Sequence, residues 1–97
     1  MGRALHIKMY DLKTISGSKS ISNRLQESIG QTNRVLLNII TDYNPIALAR
    51  SVRTYFEKNP QAVEVLVYKG RKSISVLREE TINGASFFKY FVAKYIQ

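Results

Sequence analysis

The residues best suited to chemistry lie near the start of the chain, where one residue separates Asp11 from Lys13. Residues two apart in a β-strand point to the same face, so this spacing puts a carboxylate beside an ammonium group. Metal-dependent nucleases pair a carboxylate-bound Mg²⁺ with a phosphate-facing lysine in this geometry. Such a site needs a second carboxylate, for which Glu27 and Asp42 are the plausible residues. Taken alone, the spacing is explained more simply by a solvated charged pair at a strand end.

A polar stretch after Lys13 has the composition of a phosphate-binding loop. Its members are Thr14, Ser16, Gly17, Ser18, Lys19, Ser20 and Ser22. They supply hydroxyl groups, glycine-exposed N–H groups and an ammonium group just before a helix N-terminus, where the helix dipole also favours an anion. An ordinary capped turn explains one or two of the serines but not the whole cluster. Arg24, on the next helical turn, is suited either to reach the same phosphate or to lie in solvent.

The only histidine of the chain is His6, and histidine is the natural general acid or base near neutral pH. Strand alternation puts His6, Lys8 and Tyr10 on one face and Asp11 and Lys13 on the other. We therefore expect His6 to be a surface or packing residue before a catalytic one.

A second group of basic residues, Lys69, Arg71 and Lys72, lies at a predicted β-hairpin. These side chains are suited to grip a nucleic-acid backbone, and a solvated turn is the equal alternative. Some of the tyrosines are candidates for stacking on bases, although six tyrosines in so small a domain are mostly needed for its core. The candidates are Tyr55, Tyr68, Tyr90 and Tyr95.

The composition favours a polyanionic partner and excludes several kinds of chemistry. Among 97 residues, fifteen Lys and Arg stand against seven Asp and Glu, which gives a net charge of +8. Such a charge favours phosphate contacts and counterion release, while a basic domain that its charge only keeps dispersed is the alternative. The chain has no cysteine, so disulfides, zinc fingers and thiol catalysis are excluded. No apolar run approaches the roughly twenty residues that span a bilayer.

The apolar pattern predicts a single α+β domain over residues 1–97, either natural in extent or cut from a larger protein. Its order is β-α-β-α-β-β-(α), with helices packed on a mixed or antiparallel sheet. Period-two alternation predicts the first strand from residue 5 to residue 10 and onward to Lys13. An apolar run predicts a central strand over 35–40 that is covered on both faces. Strands over 63–68 and 73–77 are joined by a short glycine-containing hairpin.

Apolar spacing and capping residues also predict the helices. The first has apolar residues at positions 21, 25 and 29 and ends at Gly30. The second begins at Asn44-Pro45 and ends at Asn59-Pro60. A helix is compatible with residues 87–96, and a strand that begins at Phe87 is the alternative. The buried stripe of the second helix is predicted to be Ile46, Leu48, Ala49, Val52 and Phe56.

From Asp11 to about Leu77 the chain resembles the C-terminal nuclease domains of bacterial contact-dependent growth inhibition toxins and their phage- and mobile-element-encoded relatives. These are grouped as the barnase/EndoU/colicin/RelE-like (BECR) fold. They commonly combine an acid-x-Lys strand, a Ser/Gly/Lys loop, a basic helix, a Gln-containing turn and an apolar strand. The chain departs from them at Asn38, where relatives frequently have an acid. The matching segments are Asp11-Leu12-Lys13, Ser16 to Leu25, Gln31 and Arg34 to Ile39.

The resemblance implies a ribonuclease toxin that cuts RNA, often tRNA, without metal or cofactor. The ribose 2′-OH attacks the adjacent phosphate and leaves a 2′,3′-cyclic phosphate and a 5′-OH. Lys13 is the first candidate to stabilise the phosphorane. Arg24 and the loop 16–19 are the candidates to hold the phosphate, and Thr14 or Ser18 to orient the 2′-OH. Lys8, His6 and Arg71 are lower-ranked candidates for proton transfer or RNA contact.

The resemblance also implies a secreted or cell-surface parent protein, action in the cytoplasm of a target bacterium, and a dedicated immunity protein. We expect that partner to be acidic, because a net charge of +8 is most readily masked by opposite charge. A translation factor of the target cell is a further candidate partner. Two alternatives stay open: a metal-dependent nuclease that uses Asp11 and Lys13, and a non-catalytic basic module that binds nucleic acid.

Overall fold

The computed structural model describes residues 9–15, 21–27, 33–82, 84 and 86–97. The elements are β1 (Asp11–Ile15), α1 (Ile21–Gln26), β2 (Arg34–Ile39), α2 (Pro45–Lys58), β3 (Glu64–Lys69), β4 (Lys72–Leu77), α3 (Arg78–Ile82) and α4 (Phe87–Ile96). The α+β class and the predicted order are confirmed, and α3 is an addition that the sequence did not predict. The assignment to the BECR fold stays a prediction.

The strands form one mixed sheet in the order β1-β2-β3-β4. Strands β1, β2 and β3 run parallel, and β4 is antiparallel to β3. A helix lies between the strands of each parallel pair in the chain, because parallel strands need a crossover connection. The β3 and β4 strands are neighbours in the chain, and a two-residue turn joins them.

The described helices lie on one face of this sheet. Helix α2 contacts α1, α3 and α4, and strand residues on that face, such as Val35, Leu37, Val65 and Val67, are fully buried. Residues on the opposite face of β2 are only half-buried. The prediction that the strand over 35–40 is covered on both faces is therefore wrong. β2 is central in the sheet, but its burial alternates because the described helices cover one face only.

Helix α2 begins at the predicted residue. The side-chain oxygen of Asn44 accepts hydrogen bonds from the backbone N–H groups of Ile46 and Ala47 at 2.8 and 3.1 Å, and Pro45 occupies the first turn. The prediction of Ile46 as a core residue is wrong, because its side chain projects from the first turn and the residue is 47% exposed. Tyr55 lies in the buried stripe.

The N-terminal elements are confirmed in part. Among the described residues the first strand begins at Asp11, after Met9 and Tyr10. Residues 5–8 of the predicted strand lie outside the described part of the chain. Helix α1 buries Ile21 and Leu25 completely, as their spacing predicts. The predicted end of this helix at residues 29–30 also lies outside the described residues.

The turn of the β3–β4 hairpin depends on Gly70, whose φ of +62° lies in the left-handed region. A glycine with positive φ at the first turn position is typical of a two-residue hairpin connection. No atom lies within 4 Å of the place that a Cβ at Gly70 would take. The glycine is therefore required by backbone conformation and not by space.

We expect Gly70→Ala to lower the free energy of unfolding by about 1–2 kcal/mol, because a side chain disfavours this φ. Arg71→Ala, at the other turn position, is the matched control and should change stability by less than about 0.5 kcal/mol. Urea denaturation followed by circular dichroism measures both variants. Equal stability of the two would contradict the role given to Gly70.

Candidate functional site

Lys13 lies at the edge of the sheet on the face that the helices cover, and its side chain is 14% exposed. Its Nζ is 3.4 Å from Oδ2 of Asp11 and 3.7 Å from Oε1 of Glu27. The prediction that Asp11 and Lys13 share one strand face is confirmed. Glu27 comes to the same lysine from the end of α1, so the ammonium group lies between two carboxylates.

Arg24 reaches the same carboxylate from helix α1. Its Nη1 donates to Oε1 of Glu27 at 3.1 Å, and its Nη2 donates to the backbone oxygen of Thr14 at 3.5 Å. Lys13 and Arg24 therefore converge on one oxygen atom, Oε1 of Glu27. We call Asp11, Lys13, Arg24 and Glu27 the Lys13 cluster.

The Lys13 cluster has the geometry of an anion site. Two cations that lie 3 to 4 Å from one oxygen define the position that an anion prefers, and the carboxylate of Glu27 holds that position. The Glu27 side chain is half exposed, and exposed ion pairs contribute little to stability. Lys13 and Arg24 therefore share one position for an anionic oxygen, and Glu27 occupies it.

The carboxylates proposed for a metal site separate into two groups. Glu27 and Asp11 both contact Lys13. Asp42 follows β2 and instead pairs with Lys69, with 3.0 Å between Oδ1 and Nζ. Among the described residues there is no group of three or more His, Asp or Glu side chains suited to hold a metal ion. Asp11 and Glu27 are the pair that the metal-dependent alternative would have to use.

Thr14 is separated from Lys13 by the pleat of β1. Its side chain is exposed on the face opposite to Lys13, and its backbone oxygen is the atom that contacts Arg24. Several other predicted site residues lie outside the described part of the chain, and their predicted roles stay predictions. They are His6, Lys8, Ser16, Gly17, Ser18 and Lys19.

Two of the three basic residues at the hairpin support helix α4. Lys72 Nζ donates to the carbonyl oxygen of Tyr95 at 2.9 Å and to that of Gln97, where a cation also suits the helix dipole. Lys69 Nζ lies 4.3 Å from the centroid of the Tyr95 ring. A hydrogen bond with Asp42 raises the pKa of Lys69. Of this predicted basic group, only Arg71 is fully turned to solvent.

The four tyrosines considered for base stacking divide into two buried and two exposed residues. Tyr55 and Tyr95 are buried in the core, with 2% exposure each, as expected for a small domain. Tyr68, on β3, and Tyr90, on α4, are exposed at 40% and 51%. Only Tyr68 and Tyr90 are accessible for stacking.

The sequence did not predict a polar network around Glu64 at the start of β3. Its Oε1 accepts hydrogen bonds from Tyr10 Oη at 2.6 Å and from Arg34 Nη1 at 2.5 Å, and its Oε2 accepts one from Ser75. Burial disfavours the charged carboxylate, but these hydrogen bonds outweigh that effect and hold the pKa of Glu64 below its usual value. The one sequence feature that indicates this network is an acidic residue inside the apolar run 63–67. The residues that hydrogen-bond to it come from three other segments of the chain.

The network joins β2, β3 and β4 and attaches the residue before β1 to them. Glu64 is 4% exposed and accepts hydrogen bonds from three side chains, so we interpret the network as structural. Its loss would leave Arg34 without its carboxylate in a half-buried position.

Comparison with known proteins gives no further support: no family model, no curated protein and no solved structure matches the chain. The family resemblance stays a prediction, and function must be inferred from the residues themselves. Within the described residues, no helix has the length and apolar character needed to cross a membrane.

We expect Glu64→Gln to lower the free energy of unfolding at pH 7 by about 2 kcal/mol, because hydrogen bonds to a charged group are lost. The depressed pKa of Glu64 means that its contribution is present at neutral pH and is lost as the pH falls below 4.5. The variant should therefore lose less stability on acidification than the wild type. Urea denaturation at several pH values measures this.

The matched control is Glu79→Gln, which removes an exposed carboxylate from α3. It should retain the wild-type loss of stability at acid pH. An identical pH dependence for Glu64→Gln and the wild type would show that the network does not hold the carboxylate charged.

Proposed function

We propose that the chain is a metal-independent ribonuclease that cuts RNA, with tRNA as the first candidate substrate. The ribose 2′-OH attacks the adjacent phosphate, the bond to the 5′-oxygen breaks, and the products carry a 2′,3′-cyclic phosphate and a 5′-OH. The observation that best supports this proposal is the convergence of Lys13 and Arg24 on one oxygen of Glu27. In a chain of net charge +8, such a site suits the phosphate of a nucleic acid.

The two cations have different roles in this proposal. Lys13 is the better shielded from water, so its charge acts at a lower effective dielectric and stabilises the phosphorane more strongly. Arg24 is more exposed and presents a planar set of donors that suits a phosphate. Arg24 therefore holds the phosphate, and Lys13 stabilises the charge that develops during attack.

A carboxylate is available to accept the proton of the 2′-OH. Glu27 is half exposed and lies within reach of both cations. When a phosphate replaces Glu27 between Lys13 and Arg24, the carboxylate remains close to the attacked phosphate. It is then suited to act as the general base, and water supplies the proton that the departing 5′-oxygen takes up to become the 5′-OH.

The toxin context of this activity rests on the resemblance alone. On this basis we propose a secreted or cell-surface parent protein, action in the cytoplasm of a target bacterium, and neutralisation by an immunity protein. A translation factor of the target cell is a further candidate partner of the domain. The net charge of +8 supports an acidic character for the immunity protein.

A metal-dependent nuclease is the second candidate function. It is supported by the position of Asp11 and Glu27 on either side of Lys13, with Nζ to oxygen distances of 3.4 and 3.7 Å. In that case the two carboxylates would bind a divalent cation and Lys13 would face the phosphate. The two candidates differ in their response to a chelator.

We expect the purified protein to cut total bacterial RNA in excess EDTA and to leave cyclic-phosphate ends. Lys13→Ala should reduce the cleavage rate by at least about 100-fold, because it removes the group that stabilises the phosphorane. Lys13→Met, which keeps the aliphatic stem, should be equally inactive and should retain the wild-type circular dichroism spectrum. Gel electrophoresis with end-group analysis measures all variants.

Lys94→Ala, which removes an exposed lysine from α4, is the matched control and should cut at the wild-type rate. Near-wild-type cleavage by Lys13→Met would rule out the proposed role of Lys13. Cleavage that requires Mg²⁺ would favour the metal-dependent nuclease. Salt-sensitive binding without cleavage under either condition would identify a non-catalytic module.

A further inference from the structure

The face of the sheet that the described helices leave uncovered carries an unusual set of side chains. Leu12 is 61% exposed, and Leu36 and Leu66, its neighbours in register on β2 and β3, are half-buried. Apolar side chains in a continuous group on the surface of a small domain commonly mark a binding surface.

Next to this apolar group runs a row of polar and aromatic side chains. The sheet register puts Thr14, Asn38, Tyr68 and Ser73 side by side across all four strands. We call these residues the Tyr68 row. Tyr68 offers an exposed ring, and Asn38 beside it carries both a donor and an acceptor. The row thus combines a stacking surface with hydrogen-bonding groups, as a site for a nucleobase requires.

We propose that the Tyr68 row binds an unpaired base of single-stranded RNA whose neighbouring phosphate is held by the Lys13 cluster on the other side of the β1 edge; this inference rests on the proposed function. Tyr68 stacks on the base, and Asn38 hydrogen-bonds to its edge. Because every base has an aromatic face, stacking on Tyr68 accepts any base, and Asn38 supplies the preference among bases.

The position of Thr14 connects the base site to the phosphate site. Arg24 of the Lys13 cluster donates to the backbone oxygen of Thr14, which is the first residue of the Tyr68 row. Tyr68 lies two strands farther across the sheet, at about 10 Å from β1. Because β1 is the edge strand, a single strand that passes around this edge can reach both faces and occupy both sites at once.

Charge favours RNA over a second protein chain as the occupant. All members of the Tyr68 row are uncharged. Glu64, the carboxylate that the described strands place on this face, is hydrogen-bonded to Tyr10, Arg34 and Ser75. A phosphate backbone therefore meets no unpaired acid among these residues. The net charge of +8 opposes the approach of a second copy of the same chain.

The test measures binding apart from cleavage. A fluorescent single-stranded oligoribonucleotide whose 2′-OH groups are all methylated cannot be cut, and its anisotropy in EDTA reports affinity. We expect Tyr68→Ala to raise Kd about tenfold, because one stacked base is lost. Tyr68→Phe, which keeps the ring, should stay within about twofold of the wild type. Tyr90→Ala, which removes an exposed tyrosine from α4, should bind like the wild type.

The outcomes separate this inference from the proposed ribonuclease. Loss of affinity in Tyr68→Ala together with intact RNA in the cleavage assay would support the base site and overturn the ribonuclease. Wild-type affinity of Tyr68→Ala together with active cleavage would overturn the base site alone. No binding by the wild type would overturn the base site. A wild-type dimer that Tyr68→Ala dissociates, with unchanged RNA affinity, would assign the face to a second copy and overturn the inference.

Discussion

The burial of one face of the sheet determines where the other groups of this protein lie. Because α1, α2 and α4 are on the same side, alternate residues of the strands point either toward the helices or toward the open face. On β1 this puts Lys13 against helix α1 and Thr14 on the open face. On β3 it buries Val67 and exposes Tyr68. The proposed phosphate site and the proposed base site thus lie on opposite faces of the sheet and meet at its β1 edge.

The basic character of the chain has two physical meanings. Some of the cations stabilise helix ends. Arg78 donates to the carbonyl oxygens of Phe56 and Asn59 at 2.7 and 2.9 Å, at the C-terminus of helix α2. Lys72 does the same for α4. The net charge of +8 therefore exceeds the charge that is free to bind a polyanion. The location of the remaining cations matters more than their number, and Lys13 and Arg24 are the pair that share one anion position.

Local patterns allowed the helices, the strands and the pairing of Asp11 with Lys13 to be predicted from the sequence, because each depends on the spacing of nearby residues. The contact of Glu27 with Lys13 depends on how α1 returns along β1, and the sequence offered Glu27 only as one of two candidates. The network of Glu64 with Arg34 depends on the register of β2 and β3, which no local pattern specifies. Long-range register is also the reason that the Tyr68 row was not predicted.

The surroundings of individual tyrosine and lysine side chains also could not be predicted from local sequence. The sequence treats Tyr55 and Tyr68 alike, yet one fills the core and the other projects from the open face. It also groups Lys69 with Arg71, although the aromatic ring of Tyr95 and the carboxylate of Asp42 engage only the lysine. In each case the outcome is decided by which face of an element the remaining chain covers.

If Glu27 holds the position of a substrate phosphate, its removal must change the affinity for RNA. The measurement is the affinity of Glu27→Gln for uncleavable, 2′-O-methylated RNA. Glu57→Gln is the matched control, because this substitution removes the same charge. The Glu57 side chain is about as exposed as that of Glu27 and also pairs with an arginine, Arg53, at 3.6 Å. We expect Glu27→Gln to bind the RNA several-fold more tightly than Glu57→Gln, because an internal competitor of the phosphate is gone. Equal affinities of the two variants, or weaker binding by Glu27→Gln, would contradict it.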